Sequence, residues 1–170
     1  GVGGYFGGLL ARGGHNVTFV ARGAHLEAIR KNGYLSVESA LDGEFQAPGS
    51  ALEDTQNAGV QDLVLFTVKM YHNPDAISHL PPLIGPETVV LTLQNGIDNG
   101  DILAEAVGEA NVMFGSAYME GRVSEPGVVT QAGPDIAAFG EMKVGITRRG
   151  ENLLQRFQEA GWRVNLHENM

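Results

Sequence analysis

Four of the first seven residues, in the run Gly1-Val2-Gly3-Gly4-Tyr5-Phe6-Gly7, are glycines, and the run opens a stretch with helical apolar spacing. Glycines at a helix start let backbone N–H groups, and the positive end of the helix, approach a pyrophosphate with no Cβ in the way. By itself the pattern is ambiguous, because the same glycines serve close packing of a helix on a sheet. A dinucleotide fingerprint also requires a strand before the turn. The sequence opens inside the turn, so we expect the central first strand to be missing from the chain as given. The next strand supplies a second feature. Phe19-Val20-Ala21-Arg22-Gly23 lies about 20 residues after the glycines, where an NAD-binding protein sets Asp or Glu against the ribose 2′-hydroxyl. Here that position is Arg22. A guanidinium suits a 2′-phosphate through paired charge-assisted hydrogen bonds, so the expected preference is NADP over NAD; an ordinary solvated arginine is the plain alternative.

Two further polar residues stand where apolar strands stop. Lys69 follows Leu63-Val64-Leu65-Phe66-Thr67-Val68, and Asn95 follows Thr88-Val89-Val90-Leu91-Thr92-Leu93-Gln94. In doubly wound sheets ligands lie outside the carboxyl ends of the strands, so Lys69 and Asn95 should face one crevice. Lys69 could neutralise a cofactor phosphate or polarise a substrate carbonyl. Asn95 could hydrogen-bond a nicotinamide ribose or the alkoxide that develops during hydride transfer. The bland readings are a helix-entry lysine in water and a turn former before Gly96.

Other chemistries find little purchase. His15, His25, His72, His79 and His167 show no metal-ligand spacing and read as surface or turn histidines, so no metal is assigned. Glu120, Glu125 and Glu141 are scattered near turns rather than paired as a hydrolase would need, and no G-x-S-x-G nucleophile motif occurs. The chain has no cysteine, which excludes a disulfide scaffold and a thiolate metal site and fits a cytoplasmic protein. Lys plus Arg number 11 against 20 acids, a formal charge of −9 with no basic run, so neither nucleic acid nor an anionic membrane is an expected partner. No apolar stretch reaches the roughly 18 to 20 residues of a membrane helix.

The elements that must position the candidate residues follow from periodicity. With 170 residues, 43% of them hydrophobic, one domain with one sizeable core is expected. A helix from residue 1 to Gly13-Gly14 precedes a short strand, Asn16 to Ala21, whose nearly all-apolar pattern predicts burial on both faces. A helix over Ala24 to Lys31 leads to strands Tyr34 to Val37 and Glu44 to Ala47, joined near Asp42-Gly43. Strand Leu63 to Val68, helix Asn73 to Leu80, strand Thr88 to Leu93, helix Asp101 to Val107 and strand Val112 to Gly115 continue the alternation. From Tyr118 the rhythm changes: Glu125-Pro126-Gly127 signals a turn, and Val128 to Thr130 with Ile136 to Phe139 read as antiparallel strands around Gly133-Pro134. Helix Glu151 to Ala160 and strand Trp162 to Leu166 close the chain. The order argues for an α/β, Rossmann-like doubly wound, mostly parallel sheet with an antiparallel C-terminal extension.

Taken together, Gly3-Gly4-Tyr5-Phe6-Gly7, Val20-Ala21-Arg22-Gly23, Val68-Lys69, Leu93-Gln94-Asn95-Gly96 and Glu125-Pro126-Gly127-Val128-Val129 resemble the ketopantoate reductases along the whole chain. The resemblance implies that Gly1, Val2 and Gly3 finish a phosphate loop and that Arg22 meets the 2′-phosphate of NADP(H). It implies that Lys69 and Asn95 contact cofactor near the nicotinamide, Asn95 also supporting catalysis, and that Gly121, taken to follow the sixth strand, is a cofactor-side position. Members of the family reduce the 2-keto acid ketopantoate to pantoate with NADPH on the route to coenzyme A. Their catalytic lysine and a glutamate lie in a second, all-helical domain that nothing in residues 1–170 matches, so this portion alone is expected to be inactive. Two alternatives stay open: another NAD(P)-dependent 2-hydroxy-acid dehydrogenase of the same plan, and a non-catalytic dinucleotide-sensing module. The residues do not fix the oligomeric state, and a homodimer is compatible with them.

Overall fold

A computed structural model describes residues 1–143 and 145–170. They divide into two compact units, one formed by Gly1–Glu53, Tyr118–Ile136 and Arg156–Arg163, the other by Asp54–Ala117, Ala137–Gln155 and Val164–Met170.

In the first unit, helix α1 (Val2–Arg12) ends at Gly13 and is followed by β1 (Thr18–Val20), α2 (Gly23–Asn32), β2 (Tyr34–Ser39), β3 (Gly43–Pro48) and β4 (Ser50–Leu52). Strand β3 pairs antiparallel with β2 in register Ser39↔Gly43, so the Asp42-Gly43 turn falls where the sequence predicts it. Helix α1 lies on these two strands. Glycine makes that approach close: a Cβ at Gly4 would stand 2.8 Å from Val129 Cγ2, and one at Gly8 3.0 Å from Val37 Cγ2. Tyr5, Phe6 and Leu9 are fully buried on that face. Trp162 is 3% exposed, stacks on Phe157 at 4.1 Å, meets Phe6 at 4.3 Å and donates its indole N–H to Phe6 O at 3.1 Å.

In the second unit, β5 (Leu63–Phe66), α3 (Asn73–Ser78), β6 (Val89–Thr92) and α4 (Asn99–Val107) alternate, and β5, β6 and β7 (Val112–Glu125) run parallel. Every residue of β6 is buried, as its unbroken apolar pattern predicts for a parallel strand covered on both faces. Phe66, Leu80, Val90, Leu103 and Val112 form the core. Strand β8 (Val128–Glu141) neighbours β7, helix α5 (Arg148–Glu159) follows, and β9 (Arg163–Leu166) pairs with β8. Strands β7 and β8 and helix α5 contribute residues to both units.

The mostly parallel Rossmann-like sheet with antiparallel additions is therefore present, with four corrections to the local expectations. Strand β1 is not buried on both faces: it pairs with β4 in a two-stranded parallel sheet, and Val20 is 54% exposed. Strand β4 itself is too short, and too polar at Ser50, to carry a readable period. Strand β7 does not stop at Gly115 but runs to Glu125, so Gly121 lies inside a strand rather than after one. Gly133-Pro134 is not a turn, because β8 passes straight through it. The reversal comes at Pro126-Gly127, where Gly127 has φ 79°, the conformation a type II turn requires after proline. At Gly133, φ is 68° and the Gln131 amide donates to Gly133 O at 2.9 Å, giving that carbonyl a side-chain partner within the strand. The parallel register with β2 ends at Gln131, so Pro134 removes no N–H that β2 needs.

Beside α1, one polar network went unread in the sequence. The buried Tyr5 hydroxyl lies 2.6 Å from Asp42 Oδ2 and 2.5 Å from Asp135 Oδ2, and Arg163 reaches the same Asp135 oxygen at 2.5 Å. Burial, with the two carboxylates beside it, pushes the Tyr5 pKa far up and keeps the hydroxyl protonated.

Candidate functional site

The first unit contributes the amino end of α1. Tyr5 N–H makes the first intrahelical bond, to Gly1 O at 3.0 Å, so the N–H groups of Val2, Gly3 and Gly4 have no carbonyl of their own helix to meet. Gly1 caps the helix without a side chain, and the first turn holds no acid to compete for those donors. A Cβ at Gly1 would stand 2.2 Å from Gly121 O, so both backbones come together there and only glycine fits. Gly1 and Gly121, named separately in the sequence, thus share one place. Such a helix end, with N–H groups its own helix leaves over and no acid in its first turn, fits a phosphate group.

Arg22 stands two residues beyond the end of β1, at the N-cap of α2, with extended backbone at φ −135° and ψ 157°. It is exposed, and its side chain makes no capping bond to α2. Ala21 N–H donates to Leu52 O at 2.9 Å, which ties the preceding backbone to β4. His25, one turn into α2, accepts the Gly127 N–H on Nδ1 at 2.9 Å and so joins this helix start to the β7–β8 turn.

Burial pulls the His25 pKa below the ordinary value of 6.5, because taking the ring out of water penalises its charged form. The unfolded chain takes up a proton below about pH 6.5 and the folded chain does so only at lower pH, so the contact stabilises fully above that value and is lost as pH falls through the depressed one. Between about pH 8 and about pH 5, Tm should therefore drop further in the wild type than in His25→Gln, which keeps an acceptor that does not titrate. Equal drops would remove His25 from the explanation.

The second unit contributes Lys69 and Asn95, and here the structure does bring two candidate segments together. Strand β5 ends at Phe66, three residues before Lys69, which is exposed and caps a short 3-10 turn over Met70–His72. Asn95 is exposed, three residues beyond the end of β6. Gly96 after it has φ 105°, and the Met70 sulfur would be 3.2 Å from a Cβ there, so the Lys69 and Asn95 loops pack on each other. Beneath them lie Gln94, Asn73 and Asn99, all buried. The Gln94 amide donates to Val68 O at 2.6 Å and to Asn73 Oδ1 at 2.7 Å; Asn73 donates to Asn99 Oδ1 at 3.0 Å; Asn99 donates to Asn95 O at 2.7 Å. Sequence reasoning missed Asn73 and Asn99. The available signal was an amide at the first residue of each helix that follows a candidate loop.

A depression of about 460 Å3 lined by Glu109, Glu141, Met142, Lys143 and Arg149 lies at the other end of the parallel strands, where β7 begins. Its charges pair internally, Arg149 Nε with Glu141 at 2.9 Å and Lys143 with Glu109 at 3.0 Å, so it offers no unmatched group to a ligand. Among the described residues no group of three or more His, Asp or Glu could hold a metal ion, and no helix is long and apolar enough to cross a membrane.

Comparison with known proteins identifies relatives that share this fold. The family model described as ketopantoate reductase PanE/ApbA matches residues 1–144. The 2-dehydropantoate 2-reductase of Pyrococcus horikoshii is 33% identical over 171 residues, 99% of this chain and 54% of that protein. The crystal structure of 2-dehydropantoate 2-reductase from Porphyromonas gingivalis W83 superposes with a TM-score of 0.92 at 31% identity, covering 100% of this chain and 62% of that one. The fold alone is shared with D-mandelate dehydrogenase, solved with NADH and anilino(oxo)acetate, at a TM-score of 0.85 and 22% identity. The chain spans about half the length of the curated relatives it matches. By its match over most of its length, this chain belongs to the ketopantoate reductase family.

Proposed function

We propose that this chain supplies the NADP(H)-binding part of a reductase that converts a 2-keto acid, 2-dehydropantoate, to pantoate. The observation that carries the reading is a glycine-rich helix start, Gly1-Val2-Gly3-Gly4, followed just after the next strand by Arg22 in place of an acid. The N–H groups of Val2 and Gly3 would bind pyrophosphate oxygens, with Gly121 keeping side chains away from them. Arg22 would pair with the 2′-phosphate. Lys69 would neutralise a cofactor phosphate, and Asn95 would donate its amide to the ribose or to the substrate oxygen as negative charge grows there. The bound nicotinamide would supply the hydride.

The substrate class is supported by the names of the relatives. A second reading, another 2-hydroxy-acid dehydrogenase of the same fold using NADH, is compatible with the fold that D-mandelate dehydrogenase, solved with NADH, shares. One experiment separates them. The full-length gene product, mixed with NADPH or NADH and a panel of 2-keto acids, is followed by loss of nicotinamide absorbance. Turnover should be fastest with NADPH and 2-dehydropantoate; faster turnover of another keto acid, or with NADH, would favour the second reading, and no turnover of any would sink both.

A further inference from the structure

We propose that Gln94, Asn73 and Asn99 are positioning residues that aim Asn95 at its ligand through a one-directional chain of buried amides. The proposal rests on Asn95 being a cofactor- or substrate-facing group. The Thr92 hydroxyl donates to Gln94 Oε1 at 3.3 Å, Gln94 donates to Asn73, Asn73 to Asn99, and Asn99 to the carbonyl of Asn95. Each amide accepts at oxygen and donates at nitrogen, so the chain needs a side chain with both groups at every link. A side branch from Gln94 holds Val68 O, the carbonyl just before Lys69.

Three buried polar side chains are costly to place in a core unless all are matched, and here each amide has both a donor and an acceptor contact. A solvated turn former needs no such support. The chain ends on two exposed residues: it fixes the peptide plane after Asn95 and, through Val68, the approach to Lys69. Gly96, at φ 105°, accepts a turn that few other residues adopt, and Asn99 holds it from below, with Nδ2 3.5 Å from Gly96 O. Orientation by buried hydrogen bonds behind a working group matters because a displacement of about 1 Å at a reacting group costs on the order of 100-fold in rate.

The test uses the full-length gene product with Asn99→Ala and, as a second route should that variant fold poorly, Asn73→Ala, each alone and combined with Asn95→Ala. We expect each single variant to lower kcat about 10- to 100-fold. Added to Asn95→Ala, either should lower kcat by less than about threefold more, since the group they aim is gone. In nucleotide-free protein, hydrogen exchange over residues 94–98 should quicken by about tenfold while exchange in β6 stays unchanged. If both variants keep kcat within about twofold, or slow the Asn95→Ala enzyme as much as the wild type, the relay is not a positioning device. If Asn95→Ala itself turns over at the wild-type rate, the reading of Asn95 has failed and the relay has nothing to aim.

Discussion

Arg22→Ala should raise the Kd for NADPH about 10- to 150-fold while changing the Kd for NADH by no more than about twofold. The range follows from removing charge-assisted hydrogen bonds to a phosphate, worth about 1.5–3 kcal/mol, at about 1.4 kcal/mol per tenfold. Because Arg22 caps α2 through its backbone and not its side chain, the substitution leaves the helix start intact, and Tm should stay within about 2 °C. The two nucleotides differ only at the 2′ position, so titration of wild type and variant with both isolates that contact. A loss of equal size for NADH would mean that Arg22 supports the fold of the site instead of reading the 2′-phosphate.

The largest expected effect on stability is at Trp162. Its ring is buried between Phe157, stacked at an interplanar angle of 6°, and Phe6, and its N–H is satisfied by Phe6 O. Trp162→Ala removes the middle ring of that stack and leaves a cavity against α1, the helix whose start forms the proposed phosphate site. Such a truncation costs about 3–5 kcal/mol and should lower Tm by roughly 6–20 °C. Trp162→Phe keeps most of the stack, loses the hydrogen bond and should fall between the two. A Tm for Trp162→Ala within about 2 °C of wild type would show that the stack contributes little.

Part of this was readable from single residues because strand β6 is buried on both faces. Val89 to Leu91 is an unbroken apolar run ending in a buried threonine, so it marks a strand and its end points to Asn95. Glycines were legible where a backbone reversal or a close approach demands them, at Gly43, at Gly127 and at the start of α1. The same rule misled at Gly133-Pro134, where a turn dipeptide lies inside strand β8 and Gln131, the fourth residue of that strand, donates to Gly133 O. Contacts between residues far apart in sequence left no local trace. Tyr5 meets Asp42 and Asp135 across 37 and 130 residues, and Asn73 meets Asn99 across 26. His25 read as a surface histidine because its partner, the Gly127 N–H, is backbone and carries no sequence signal. The candidate residues were thus visible at strand ends, while the groups that hold them were not.

The central claim is that this chain is built to hold NADP(H). Fluorescence titration of the wild-type full-length protein with NADPH and with NADH, in the same buffer and salt, tests it most directly. The account predicts tight, saturable NADPH binding with NADH weaker by about 10-fold or more. Equal affinity for the two, or no binding of either, would contradict it, leaving the glycines of α1 as packing against β2 and β8 and Arg22 as a surface charge.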